Sequence, residues 1–308
     1  KMALNGMQFF DLITTQTYGT ASGSMVKTLA GAFTPGSCGV GIACLDAAQF
    51  MSSGWARFDF ADGNFLEGKA RGDGFAGKVG AVYKVSNDVH VGLTYHSKTW
   101  LGDMEANGAT VSMNVAGPGV GGGPVTIPVT GKIQVKDFQW PQTAGVGLAY
   151  KATPELLIVF DYKWINWADV MKDFKMTFTA DATQADLNAK NFGLGGQSLD
   201  AALYQKWKDQ HVFMIGAGYK VSPEWTLRAG FNYANNPIPD TYLNALFPAI
   251  EKTHVTIGAG YMISTASSID ASFTYAPEVK ATSGPNAPEG ATVAHSQTNA
   301  QIMYGYRF

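Results

Sequence analysis

Phe213–Asn235 reads FMIGAGYKVSPEWTLRAGFNYAN, and its alternation decides the fold. Phe213, Ile215, Ala217 and Tyr219 fall on one face; Met214, Gly216, Gly218 and Lys220 fall on the other. Val221-Ser222-Pro223-Glu224 turns the chain. Trp225, Leu227, Ala229, Phe231 and Tyr233 then take the apolar face, and Thr226, Arg228, Gly230 and Asn232 the opposite one. A period of two marks a strand with unlike surroundings on its two sides. Gly, Thr, Arg and Asn fill a soluble core poorly, whereas the apolar face carries aromatics at its ends. The pattern predicts acyl chains outside and a polar bore inside.

The unit recurs. Ala76–Tyr95 (AGKVGAVYKVSNDVHVGLTY), Thr143–Tyr162 (TAGVGLAYKATPELLIVFDY) and Thr256–Tyr275 (TIGAGYMISTASSIDASFTY) each hold a Gly-rich strand with Tyr near its end, a few polar residues and a second apolar-aromatic strand. Four hairpins of one design predict a meander that closes to remove its edges, so the expected fold is all-β, an antiparallel transmembrane β-barrel. The expected turns are short: Ser86-Asn87-Asp88, Thr153-Pro154-Glu155, Ser222-Pro223-Glu224 and Ser264–Ser268. The connections between hairpins are long: Ser97–Lys132, Ala168–Gln210, Ala234–Lys252 and Pro277–Ala294. Short turns on one rim and long loops on the other are what outer-membrane barrels show.

Composition agrees. Charged residues are 15% of the 308, against ~25% in an average soluble domain. Glycine is 36 of 308, above the usual ~7%. A formal net charge of -2 gives no basic field for nucleic acid. No apolar run approaches the ~18 residues a membrane helix needs; Leu156–Phe160 is the densest stretch. The chain starts at Lys1 without a leader and is expected to be processed or truncated.

Residues 1–74 are expected to be irregular and extracellular, and 75–308 to form barrel. Within the first part, KMALNGMQFFDLI is compatible with a short amphipathic helix, Leu45–Met51 with a helical turn and Trp55–Phe60 with a short strand. Cys38 and Cys44 fit either a small disulfide loop, as in an exported protein, or two free thiols. In the long connections, Ala116–Pro128 (AGPGVGGGPVTIP) reads as a Gly/Pro loop, and ATQADLNAK and LDAALYQKWK as helix-compatible runs. The chain ends in QIMYGYRF, an alternating strand closing on Phe308, which resembles the terminal signal read by the machinery that assembles bacterial outer-membrane barrels.

Arg71–Gly108 (RGDGFAGKVGAVYKVSNDVHVGLTYHSKTWLGDMEANG) resembles the long-chain fatty-acid and aromatic-hydrocarbon transporter family of FadL/TodX type, with its Gly-rich strand followed by G-L-x-Y-x-S-K. Trp225–Ser264 carries the matching R-x-G-[FY]-x-Y, P-x-x-D and G-A-G-Y strings at Arg228–Tyr233, Pro237–Asp240 and Gly258–Tyr261. The resemblance covers roughly 75–308. It implies a fourteen-stranded barrel plugged by an N-terminal hatch, importing hydrophobic molecules without a cofactor. About nine strands are countable after Phe75, which would be the family's sixth to fourteenth. The family's first strands and the hatch, with its Asn-Pro-Ala motif, are not visible.

No HExxH, CxxC or GxSxG occurs. A GxGxxG string at Gly117, Gly119 and Gly122 opens no helix, since Pro124 and Pro128 follow. His90 and His96 share a strand face but lie ~20 Å apart at ~3.3 Å per residue, too far to chelate one metal. The inward faces carry Asp161, Lys163, Arg228 and Asp270, read as a polar network bracing the bore, or, for Arg228, as a dock for a ligand carboxylate. The candidates for substrate capture are apolar loop residues: Trp100, Leu101, Phe192, Leu194, Tyr242, Leu246 and Phe247. The resulting expectation is a monomeric outer-membrane protein for passive uptake of fatty acids, aromatic hydrocarbons or detergent-like molecules, in contact with lipid. A general porin and an outer-membrane lipase are the alternatives.

Overall fold

The computed structural model describes residues 2–5, 7–10, 26–31, 55–60, 69–116, 124–191, 193–243, 249–282 and 292–307. Two large antiparallel sheets organise them. The first is a meander of nine strands in chain order: Lys78–Lys84, Val89–His96, Thr143–Lys151, Leu156–Ile165, Gln210–Lys220, Trp225–Ala234, Thr253–Met262, Ser267–Thr282 and Thr292–Tyr306. These include the four expected hairpins and the terminal strand. Among the described residues, Lys78–Lys84 and Thr292–Tyr306 each pair with one neighbour in this sheet and form its edges.

Register shows why the alternation matters. Val91, Leu148, Phe160, Ile215, Phe231, Val255 and Tyr275 are successive cross-strand partners, and so lie on one face. On the other face run Gly92, Gly147, Asp161, Met214, Asn232 and His254. The apolar row is the exposed one: Ile215 is 53% exposed and Phe231 45%. Trp225 and Tyr233 bracket that face on one strand, eight positions or ~27 Å apart at ~3.4 Å per residue. With the usual strand tilt this comes near the ~25 Å apolar band, flanked by aromatic girdles, that membrane barrels present.

The turns repeat one device. The hydroxyl of Ser86 accepts from the backbone N–H groups of Asp88 and Val89, Thr153 from Glu155 and Leu156, Ser222 from Glu224 and Trp225, and Ser264 from Ala266 and Ser267, all at 3.1–3.2 Å. Local hydroxyl-to-backbone bonding of this kind makes Ser and Thr turn formers. Each turn is also stitched to the next strand. The carbonyls of Asp88, Glu155, Glu224 and Ala266 accept from the N–H groups of Lys151, Lys220, Met262 and Arg307 at 2.7–2.9 Å.

The second sheet also has nine strands and is built largely from the long connections. Its main path runs Met2–Asn5, Lys69–Gly72, Met104–Ala116, Pro124–Lys136, Asp173–Ala180, Ser198–Tyr204 and Val26–Gly31, with Met7–Phe10 and Trp55–Asp59 attached at the side. Here burial is conventional: Val111, Ile127, Val129, Ile133, Phe178 and Leu199 are at most 1% exposed.

This sheet corrects several expectations. The helix expected in KMALNGMQFFDLI is two strands, Met2–Asn5 and Met7–Phe10, both of them paired. LDAALYQKWK is not helical either: Ser198–Tyr204 pairs with strands on both sides, and that pairing overrides its helix propensity. Met104–Ala116 and Pro124–Lys136 occupy most of what reads as loop, so Ala116–Pro128 is loop at most in its middle. Pro124 and Pro128 lie before Gly131, where pairing with Asp173–Ala180 begins; on that side a missing N–H breaks no ladder bond. The expected 277–294 connection is narrower too, because its flanking strands continue to Thr282 and resume at Thr292. Trp55–Asp59 is a strand, as its alternation predicts, and Leu187–Asn191 is a short helix that begins in ATQADLNAK and ends one residue beyond it. Leu45–Met51, Cys38, Cys44, the Gly117–Gly122 string and Phe308 lie outside the described residues.

Candidate functional site

Two regions carry the candidate residues: the polar face of the meander and the end where its long connections gather.

On the polar face, Arg228 Nη1 donates to Asp270 Oδ1 at 2.7 Å, across a register in which Gly258 and Gly260 are the intervening partners. A Cβ on Gly260 would come 2.6 Å from Asp270 Oδ1 and 2.9 Å from Arg228 Nη1, so only glycine lets the two side chains lie flat over the strand between them. With Thr256, Ser272, Gln301 and Met303 the pair borders a cavity of about 240 Å³. Asp161 and Lys163 border a second, of about 360 Å³, floored by Gly145 and Gly147. The same packing holds there: a Cβ on Gly147 would collide with Asp161 Oδ1. One Arg228 nitrogen is bonded to Asp270, and the other guanidinium N–H groups remain for a second acceptor.

At the loop end the chain builds an aromatic ladder. Phe174 and Phe138 meet edge to face at 6.3 Å, as do Phe138 and Trp140 at 5.9 Å and Trp167 and Trp207 at 5.1 Å, while Trp140 and Trp167 are tilted at 6.0 Å. Phe174 belongs to the core of the second sheet. Trp207 belongs to a separate apolar cluster with Met171, Ile238, Leu243 and Ile250, packed against Val279, Ala281 and Val293 of the last hairpin. Phe138 touches both. Trp167 is held from behind: its Nε1 donates to Gln210 at 3.3 Å, and the next residue's N–H, that of Ala168, donates to Asp209 Oδ1; Trp164 Nε1 donates to Oδ2 of the same carboxylate at 2.9 Å. Lys98 Nζ sits 3.0 Å from Asp169 Oδ2, and this hydrogen bond holds the Asp169 carboxyl below its ordinary pKa against the opposing effect of burial.

The residues singled out in the sequence divide. Trp100 is half exposed and stacks on Phe75 at 5.2 Å. Leu101 packs on the core of the second sheet, its backbone clamped by both ends of the Gln139 amide at 2.8–2.9 Å. Leu194 is buried in that same core. Tyr242 lies beside Leu243 of the Trp207 cluster, with Lys206 Nζ 5.4 Å from its ring centre. Phe192, Leu246 and Phe247 lie outside the described residues. Sequence reasoning missed the ladder itself. A signal was available: Trp140, Trp167 and Trp207 each stand just outside a meander strand, where such rings have no outward-facing register to fill.

Residues 61–307 match the family described as outer membrane protein transport protein (OMPP1/FadL/TodX). The chain belongs to this family. Its fold matches the toluene transporter TodX of P. putida with a TM-score of 0.71 at 26% identity, over 99% of this chain and 63% of that one. It matches the Ralstonia pickettii toluene transporter TbuX with a TM-score of 0.65 at 25% identity, over 99% and 60%. Outer membrane protein P1 of Haemophilus influenzae is 24% identical over 160 residues, 52% of this chain and 28% of that protein. The chain thus spans less than two thirds of the length of these relatives. Family and fold together put it in the bacterial outer membrane.

Proposed function

We propose that the nine-stranded meander is part of a closed barrel wall, and that the protein passively takes up hydrophobic small molecules. The observation that carries this reading is the inverted meander, apolar rows exposed with glycines and polar groups on the opposite face, joined to an aromatic ladder where its long connections gather. The second sheet, including the strands before residue 75, then lies outside the cell. Apolar solutes partition onto the ladder and the Trp207 cluster, at ~25 cal/mol per Å² of apolar area buried, and pass from there into the bore. The Arg228–Asp270 and Asp161/Lys163 groups brace that bore. No bond is made or broken, and no cofactor enters. The barrel works as a monomer in contact with lipid, delivered by the assembly machinery through its last strand and Phe308.

The named solved relatives are toluene transporters, which supports an apolar cargo over ions or an ester. Cells producing the full-length protein are expected to take up labelled toluene at micromolar concentration faster than cells without it, with saturation. The purified protein is expected to carry little steady current in a planar bilayer. Unchanged uptake refutes the proposal, and a large steady conductance replaces it with a porin.

A further inference from the structure

Among the described residues, several buried side-chain atoms have no hydrogen-bond partner, among them both amide atoms of Gln205, Trp207 Nε1 and both carboxylate oxygens of Glu251. Gln205 is 1% exposed, Trp207 7% and the Glu251 side chain 8%. Buried polar groups in native proteins are nearly always satisfied, and leaving one unpaired costs its full desolvation.

These atoms border the apolar cluster at the loop end. Trp207 is a member of it, and Gln205 is two residues earlier, where the N–H groups of Gln205 and Lys206 both bond the Lys172 carbonyl next to Met171 of the cluster. Glu251 follows Ile250, another member. Glu251 Oε1 lies 3.8 Å from His295 Nδ1, too long for a hydrogen bond. His295 is the cross-strand partner of Val279 and stands two residues from Val293, both of which pack on the cluster. The result is an apolar and aromatic cluster bordered by an indole donor, a carboxylate acceptor and an amide that offers both.

We propose that the Trp207 cluster binds a small neutral aromatic molecule carrying a hydroxyl group, and that Glu251 discriminates there against carboxylates. The inference rests on the capture reading above and names the ligand class of that same region. A phenolic O–H donates to Glu251 and accepts from Trp207 Nε1, while the ring packs on Trp167 and the aliphatic wall. A plain hydrocarbon gains the packing but leaves the polar atoms unpaired. An ionised carboxylate has no O–H to donate to Glu251 and sets acceptor against acceptor, which leaves buried polar atoms unpaired.

The test uses full-length protein in lipid nanodiscs, titrated calorimetrically with 4-ethylphenol, ethylbenzene and 4-ethylbenzoate. The phenol is expected to bind about tenfold tighter than ethylbenzene, as hydrogen bonds to otherwise unpaired buried groups give, and the benzoate weakest. Glu251→Gln is expected to erase most of that preference and to raise benzoate affinity. Trp207→Phe is expected to weaken the phenol while leaving ethylbenzene within about twofold, since one bond and little packing is lost. Equal affinity of the unmutated protein for the phenol and ethylbenzene overturns the inference alone, because the polar atoms are then satisfied by water or by other parts of the protein. Loss of both ligands together in both variants also overturns it. Failure of both ethylbenzene and 4-ethylphenol to bind the unmutated protein overturns the capture reading with it.

Discussion

The two nine-stranded sheets use the same alternation to opposite ends. In the second sheet Ile127, Val129, Ile133 and Val135 point into a shared core and none is measurably exposed. In the meander the equivalent apolar rows stay at the surface: Leu93 is 59% exposed and Ile257 59%. Period two therefore establishes a strand and a two-sided environment, but not which side is wet. That is settled by the company the apolar face keeps. Opposite Ile215 and Phe231 stand Gly216 and Gly230, too small to build a core, whereas in the second sheet Ile133 and Val135 share their buried face with their cross-strand partners Phe178 and Met176.

The largest expected effect sharpens this contrast. Phe178→Ala removes a ring from the closed core of the second sheet and is expected to cost about 3–5 kcal/mol, through lost transfer and the cavity left behind. Phe160→Ala, on the exposed face of the meander, loses transfer only and is expected to cost about 1–2 kcal/mol. Denaturant unfolding of both variants in lipid vesicles checks the pair. Equal costs would mean that the two sheets bury their apolar faces in the same way.

Next in size is a charge at the middle of the exposed face. Ile215→Arg is expected to cost about 2–4 kcal/mol in a bilayer, where a water-facing surface site would change by no more than about 0.5 kcal/mol. Met214→Arg, one residue earlier, points to the polar side beside its cross-strand partner Asp161 and is expected to fall within about 1 kcal/mol of the unmutated protein. A cost at Met214 matching that at Ile215 would erase the distinction between the two faces.

How much of this could be read in advance follows from the same contrast. The four hairpins, their turns and the terminal strand were legible because the two strands of each hairpin, and the last two strands, are neighbours in the chain, so local pattern and partner coincide. The second sheet was not. Val26–Gly31 pairs with Ser198–Tyr204, and Met2–Asn5 with Lys69–Gly72, partners far away in sequence whose pairing leaves little local trace. Pro124–Lys136 did alternate in Val125, Ile127, Val129, Ile133 and Val135, but its prolines and the glycines before it masked the signal. In the site, Asp161, Lys163, Arg228 and Asp270 could be placed by parity alone. The ladder needs Phe138 and Trp140, Trp167 and Trp207 to converge from three segments, which no spacing encodes.

The rim of short turns offers a smaller test. Ser222→Ala removes a hydroxyl that accepts from Glu224 and Trp225, and is expected to cost about 0.5–1.5 kcal/mol. Thr153→Ala should match it, since its two bonds have the same geometry. Refolding yield into vesicles and unfolding midpoints check this, and a silent pair would mean that backbone pairing alone sets these turns.

The smallest effect separates the sheets by pH. Asp103 accepts from Lys136 Nζ at 2.8 Å and from the Asp137 N–H at 3.2 Å, and the Lys136 hydrogen bond is the main reason its carboxyl titrates below the ordinary range. A carboxyl with a lowered folded-state pKa stabilises the fold fully above its unfolded value, near 4, and that contribution drains away as pH falls through the folded value. Both side chains are about a third exposed, so solvent screening keeps the contribution to a few tenths of a kcal/mol, about 1 at most. Asp103→Asn is therefore expected to flatten the acid limb of stability below about pH 4 in the second sheet while leaving the neutral-pH midpoint nearly unmoved. A double variant with Lys136→Met should add nothing further, because the two groups act through one bond. If the acid limb keeps its slope in Asp103→Asn, the sensitivity belongs to other carboxyls, and the tie between Met104–Ala116 and Pro124–Lys136 is held by the ladder and core alone.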